Sequence, residues 1–263
     1  MALEVLERRS GEGHDDRPPL LFVHGYWQAA WCWDQFLMPA LAARGHDCFA
    51  VSLTGHGGSD GKIRGRSVRD HVDDVYDVVA RFDTPPVVIG HSMGGYVVQH
   101  YAALGHPATG LVLVSPVPSQ GAWGATWRVA RRHPGKFLKT NLMLDVGAVV
   151  EDPGHAYEWL FAPEFPREEA DSYMDRWERA SYRTFLGLLF SRPQTANIDV
   201  PVLLIGGDRD GLFSLDEWRK TERKLGTRLV TVEGAGHEMM LEPAWSELAD
   251  YIDAFAVRVP RGV

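Results

Sequence analysis

Six short runs of consecutive apolar residues, each set off by Gly, Pro or a charged residue, restrict most tightly what this chain can become. They are PLLFVHG (19–25), DCFAVSL (47–53), PVVIGHS (86–92), GLVLVSP (110–116), PVLLIGG (201–207) and RLVTVEG (228–234). Their lengths fit strands, and several are apolar on successive rather than alternate residues. That is the pattern of strands covered on both faces in a parallel sheet. LEVLER (3–8) alternates instead and fits an edge strand. Helical patterns lie between the runs. Residues 67–82 place Val68, Val72, Val75, Val79 and Phe82 on one stripe, with Ser67 and Asp70 spaced as a capping box. Residues 92–104, 215–225 and 243–257 also have helical spacing. The alternation predicts an α/β fold, a mostly parallel central sheet flanked by helices on both faces. With 263 residues, 45% of them apolar, one large core is within reach.

The rhythm breaks once. From about Val117 to Gln194 there is no strand pattern, only helix-like stretches separated by HPG, DPG, FPR and RPQ. The expected organisation is a core of residues 1–117 and 195–263 with a helical cap inserted at 118–194.

Several function classes are disfavoured. A net charge of −8 argues against nucleic acid as a partner, because phosphate binding needs surplus Lys and Arg. No apolar run approaches a membrane span. MALEVLERRSGEGHDD (1–16) lacks the apolar core of a signal peptide, so a cytoplasmic location is the expectation. Cys32 and Cys48, without CxxC spacing, are expected to be buried free thiols. HEMML (237–241) begins like the zinc signature H-E-x-x-H but has Leu241 where the second His belongs, so neither a metal nor another cofactor is expected.

The strongest chemical signal is GHSMG (90–94), a G-x-S-x-G motif between an expected strand and an expected helix. A Ser forced into so tight a turn needs small neighbours on either side. Its hydroxyl then projects beyond the sheet edge beside the positive end of the following helix. Attack on a carbonyl also needs donors for the oxyanion. The Met93 amide supplies one, and FVHGYWQAAW (22–31) places the Tyr26 amide as the second. A neutral hydroxyl needs a base. Among eleven histidines, His237 stands out because EGAGHEMMLEP follows the last expected strand. His24 and His91 sit in the oxyanion and elbow turns and are expected to fix backbone, while His155 is expected to be exposed. A carboxylate completes the set by orienting the imidazole. GGDRDGLF (206–213) offers Asp208 and Asp210, and the order Ser, Asp, His suits either.

Taken together, FVHGYWQAAWCW, GHSMGG, GDRDGLF and GAGHEMMLEP resemble the motifs of the α/β-hydrolase superfamily. The similarity is to small esterases, haloperoxidase-like hydrolases and plant methylesterase or hydroxynitrile-lyase relatives. It spans roughly 3–117 and 195–258. The family's G-x-x-D pattern falls on Asp210, which lies far enough past the strand to bend toward a neighbouring loop. SPVPSQG (115–121), where some relatives carry the acid instead, has no carboxylate. The resemblance implies a Ser92–His237–Asp210 triad with a Tyr26 and Met93 oxyanion hole. Two positions depart from it. Ser52 replaces an Asp frequent ahead of GHGxS, and Glu238 replaces the Lys that lyase relatives carry beside the His, which counts against cyanogenic lyase activity.

Seven of nine tryptophans fall in two groups: Trp27, Trp31 and Trp33 after the oxyanion strand, and Trp123, Trp127, Trp159 and Trp177 in the insertion. Trp27, Trp31, Trp123, Trp127 and Trp159 are the candidates for an apolar pocket between cap and core, against the alternative that they merely pack the cap. The insertion is charge-split, with basic RVARRHPGKFLK (128–139) and eight carboxylates in 151–175. Such runs are usually solvated faces, although a basic rim could also draw an anionic substrate or an acidic carrier protein. The expectation is a serine hydrolase of a small to medium apolar or aromatic ester, lactone or thioester. The alternatives are a lyase, perhydrolase or acyltransferase on the same scaffold, and a small-molecule receptor with a vestigial site.

Overall fold

The computed structural model describes residues 1–11 and 17–259, apart from the side chains of 148 and 149. The parts of the expected core segments at 12–16 and 260–263 lie outside the described residues. Seven strands among the described residues form one sheet: β1 (Val5–Arg8), β2 (Leu20–Val23), β3 (Cys48–Val51), β4 (Val87–His91), β5 (Gly110–Val114), β6 (Val202–Gly207) and β7 (Leu229–Val232). Their order is β1-β3-β2-β4-β5-β6-β7. Only the edge strand β1 runs antiparallel, against β3; all other pairs are parallel. Each apolar run of the sequence is therefore a strand, and the alternating one is the edge.

The sheet is buried on both sides. Successive side chains of a strand point to opposite faces. Leu20, Phe22, Val87, Ile89, Val112 and Ile205 join one apolar cluster, whereas Leu21, Val23, Val88, Leu111, Leu113 and Leu204 join the other. The first face is covered by α1 (Trp31–Asp34), α2 (Leu37–Ala43) and α11 (Trp245–Arg258). The second is covered by α3 (Val68–Val79), α4 (Met93–Ala103) and Trp218 of α10 (Leu215–Leu225). The Ser67–Asp70 capping box is formed at the start of α3, and Ser214 with Glu217 makes a second one on α10. Helices α1 and α2 are too short to show as a periodic stretch in the sequence; Pro39 falls in the first turn of α2, where a missing N–H costs nothing.

Between β5 and β6 the described residues contain helices only: α5 (Trp123–Arg132), α6 (Pro134–Met143), α7 (Pro153–Leu160), α8 (Arg167–Met174) and α9 (Tyr182–Phe190), with short 3-10 turns. Cys32 and Cys48 are free and buried. Among the described residues no helix is long and apolar enough to cross a membrane.

Candidate active site

The turn from β4 into α4 is built around Ser92, whose φ of 51° and ψ of −116° are unfavourable for a residue with a Cβ. The surrounding structure enforces them. Ser92 N–H donates to Val114 O (3.1 Å), and Ser92 O accepts from Val117 N (2.9 Å) and Tyr96 N (3.2 Å). The flanking glycines are dictated by space. A Cβ on Gly90 would meet Gly94 O at 2.6 Å, and one on Gly94 would collide with the Val23 and His24 carbonyls. The hydroxyl is thus carried to the C-terminal edge of the sheet at the first turn of α4, where Met93 N–H has no intrahelical acceptor.

The loop after β2 lies alongside. A Cβ on Gly25 would touch the His91 ring at 2.8 Å and Ser92 Cβ at 3.1 Å, so Gly25 lets this loop approach the elbow. Tyr26 follows, then Trp27 with φ of 64°, a strained value for a large side chain. Trp27 O accepts from Glu178 N (2.7 Å), and its ring stacks on Trp177 at 6.0 Å. Ser52, the departure from the family's pattern, pins the same loop: its Oγ accepts from Ala30 N (3.0 Å) and donates to Glu4 Oε2 (2.5 Å).

His237 Nδ1–H donates to Asp210 Oδ2 at 2.6 Å, with both side chains buried. Asp210 is itself fixed, because its Oδ1 accepts from Leu212 N (2.7 Å) and Phe213 N (2.8 Å). Asp208 plays a different part. Its Oδ1 accepts from Gly234 N (2.7 Å), tying the turn after β6 to the turn after β7. Burial pulls the His237 imidazole toward neutrality, but the charge and hydrogen bond of Asp210, with Glu238 and Glu242 behind, outweigh it and raise its pKa above the ordinary 6.5.

The other two histidines of the site hold backbone. His24 Nδ1–H donates to Gly25 O (2.8 Å) while its Nε2 accepts from Leu53 N (3.0 Å), and burial keeps it neutral. His91 Nε2–H donates to His237 O (3.0 Å), and burial lowers its pKa as well. His155 is half-buried rather than exposed, with its ring against His133 at 3.9 Å.

Ser92 and His237 face one narrow cavity of about 100 Å³. No hydrogen bond joins them in this arrangement, and such contacts commonly tighten only when substrate binds. The walls are Tyr26 and Trp27 from the core, Ala125 and Val129 of α5, Phe137 of α6, and Phe185 and Leu188 of α9. Glu238 is the carboxylate among them. It is buried, held by Gln28 Nε2 at 2.5 Å, and burial pushes its pKa up to about 7. One potential ligand atom each of His91, His237 and Glu238 lies within 4.8 Å of the others. One nitrogen of each ring is already hydrogen-bonded.

Of the five pocket tryptophans, only Trp27 lines this cavity. Trp31 is stacked on Tyr173, with the Arg176 guanidinium over its ring at 3.9 Å. Trp159 is buried against His133, edge to face at 5.1 Å. Trp123 donates its Nε1–H to Leu189 O (2.8 Å) and is half in solvent, and Trp127 is exposed. Trp31 and Trp159 are packing residues of the apolar cluster, and Trp123 and Trp127 are exposed. The residues that do line the pocket are smaller and spaced three or four apart on α5, α6 and α9. Sequence reasoning misses them, together with Gln28 and the burial of Glu238. Their signal is helical spacing, not residue size. The basic run also changes meaning. Arg128 pairs with Glu217 (2.7 Å), Arg132 with Glu158, Lys136 with Asp152 (3.6 Å) and Lys139 with Glu151 (2.5 Å), which leaves little free charge.

Known proteins share the fold. The profile of the Alpha/beta hydrolase family matches residues 20–251. A monoacylglycerol lipase of Mycolicibacterium smegmatis is 26% identical over 92% of this chain and 89% of its own. A pimeloyl-[acyl-carrier protein] methyl ester esterase of Neisseria meningitidis is 28% identical over 88% of this chain and 90% of its own. Among solved structures, the Paleococcus ferrophilus monoacylglycerol lipase superposes with a TM-score of 0.74 at 22% identity, covering 99% of this chain and 100% of that one. The family profile covers most of the chain and the sheet order is shared, so the chain belongs to the alpha/beta hydrolase family of enzymes.

Proposed function

We propose that this enzyme hydrolyses a carboxylic ester, or a related lactone or thioester, of a small to medium apolar or aromatic substrate through Ser92, His237 and Asp210. Ser92 Oγ attacks the carbonyl carbon as His237 Nε2 takes its proton, and Asp210 holds the ring through Nδ1–H. The oxyanion is held by the Tyr26 and Met93 amides. As the intermediate collapses, His237 passes the proton to the leaving oxygen or sulfur. Water then attacks the acyl-serine, gives its proton to His237, and releases the acid as Ser92 recovers its own.

The observation that carries this reading is the 2.6 Å bond from His237 to an Asp210 fixed by two amides, on the wall of the cavity that also holds Ser92. Its apolar walls favour an apolar acyl or alkyl group. Residues 118–194 act as the cap, with α5, α6 and α9 roofing the pocket. A substrate on an acidic carrier protein is a second reading, favoured by the 28% identity to a pimeloyl-[acyl-carrier protein] methyl ester esterase, although Arg128, Arg132, Lys136 and Lys139 are paired within the chain. Ser92→Ala is expected to abolish both p-nitrophenyl ester cleavage and labelling by a fluorophosphonate. Undiminished cleavage would remove Ser92 from the mechanism.

A further inference from the structure

The outer side of the insertion is apolar where the chain meets water, and nothing in the chemistry at Ser92 requires it. Three helices each carry two large apolar residues four apart: Trp123 and Trp127 on α5, Leu138 and Leu142 on α6, Leu186 and Phe190 on α9. All six are exposed, Leu142 by 74%, Phe190 by 68% and Trp127 by 67%. Met143 and Leu144 extend the patch at the end of α6. Residues four apart share one side of a helix. The opposite sides of the same three helices line the cavity. A helix apolar on both sides needs a partner on each, and here only the inner one is filled.

The pairs join into one surface. The Trp123 ring meets that of Phe190 at 5.4 Å, edge to face. Tyr182 Oη–H donates to Asn141 Oδ1 (2.8 Å), tying α9 to α6. Leu186, Met143 and Leu144 then border one surface groove of about 600 Å³.

Charge at that groove indicates the occupant. Lys62 and Arg64 of the loop before α3, with Arg179 and Arg183, line it beside a single carboxylate, Asp145, whose Oδ1 accepts from Gly147 N (2.8 Å). Among the described residues none of these four cations is in an ion pair, in contrast to Arg128, Arg132, Lys136 and Lys139. A chain of net charge −8 thus sets free positive charge along the edge of its exposed apolar face. Broad apolar contact bordered by long, unpaired cations matches the layering of a lipid surface, acyl chains below and phosphates above. An acidic protein would meet the cations but leave most of the apolar pairs in water.

We infer that the α5–α6–α9 face docks on an anionic lipid surface. The apolar pairs enter the headgroup boundary, and Lys62, Arg64, Arg179 and Arg183 meet lipid phosphates. Only the purpose of docking rests on the proposed ester hydrolysis; the binding itself needs no chemistry at Ser92. The same helices roof the cavity of about 100 Å³, so the surface would lie against the wall that must shift to admit a longer acyl ester.

The test uses the inactive Ser92→Ala protein, sedimented with vesicles of phosphatidylcholine alone or mixed with phosphatidylglycerol. Roughly tenfold tighter binding to the mixed vesicles is expected, weakening with salt. Leu142→Asp with Phe190→Asp should lower that binding by about tenfold or more, and Arg179→Gln with Arg183→Gln should erase the preference for phosphatidylglycerol. With Ser92 intact, both double variants should cleave a soluble short ester as the parent does without vesicles, which shows that they fold. Failure of the parent to bind mixed vesicles, or equal binding by the Leu142/Phe190 variant, overturns the inference. Dimerisation or retention on an acidic carrier protein that depends on this face, without vesicle binding, would assign it to a second copy or to a protein. Loss of ester cleavage by the unmodified enzyme would instead count against the catalytic reading, since sedimentation uses inactive protein.

Discussion

The turns at the C-terminal edge of the sheet and the helices between β5 and β6 hold their residues in different ways. At the sheet edge, polar bonds to neighbouring backbone fix most of the groups near Ser92. Ser92 is fixed by Val114, Val117 and Tyr96, Asp210 by two amides, His24 by Gly25 and Leu53, and His91 by the His237 carbonyl. In the insertion, large side chains are held by one another. Trp27 stacks on Trp177, Trp177 on Phe161, Phe161 on Phe165 and Phe165 on Tyr173. Directed bonds set positions to tenths of an ångström, as proton transfer requires, whereas stacked rings set a surface that can slide. The difference separates a part held by directed bonds from a part held by fit.

The comparison breaks if damage at the edge is mild, so the largest expected effect is there. His237→Gln should lower kcat/KM for a soluble ester by about 10⁴-fold or more, because the other histidine lining the pocket, His91, is held by the His237 carbonyl and made a weaker base by burial. Retention of even a hundredth of the activity would mean another base serves. Next comes the stack: Trp177→Ala should cost about 3 kcal/mol of stability by chemical denaturation, with a larger fractional loss in binding than in kcat. A kcat loss without destabilisation would show that the stack aligns chemistry directly.

A smaller effect sharpens the role of Glu238. Its negative charge helps raise the His237 pKa, and its own lies at about 7. In the proposed mechanism activity needs neutral His237, so the rate should fall as pH drops through the raised pKa. Glu238→Gln removes a charge that favours the imidazolium, and the acid limb of kcat/KM should move to lower pH. An unmoved limb would mean the carboxyl stays protonated throughout. The smallest effect is expected at Trp127→Ala, within about 0.5 kcal/mol in stability and unchanged on a soluble ester, because its side chain lies outside the cavity.

How far the sequence can be read follows the same division. The strands are legible because burial on both faces forces uninterrupted apolar runs, and the elbow because only Gly fits at 90 and 94. The choice of Asp210 over Asp208 comes from the resemblance to the family's G-x-x-D pattern; in the structure Asp210 bonds His237 and Asp208 bonds Gly234. The pocket is not legible. Tryptophan suggests a pocket, yet a ring that large is as readily placed by packing, and Trp31, Trp123, Trp127 and Trp159 all point elsewhere. The pairing of Lys136 and Lys139 with Asp152 and Glu151 is hidden as well, because those ion pairs depend on how α6 meets the residues after it. Glu238 is visible only as a departure from relatives; its burial against Gln28 is a tertiary fact.

At the centre of the proposed chemistry, Asp210 serves His237 while Asp208 only ties two turns together. The most direct measurement is kcat/KM for one soluble ester in Asp210→Asn and Asp208→Asn, with folding checked by thermal denaturation. A loss of roughly 10²- to 10⁴-fold is expected in the first and less than about tenfold in the second. The reverse order would contradict this division of roles.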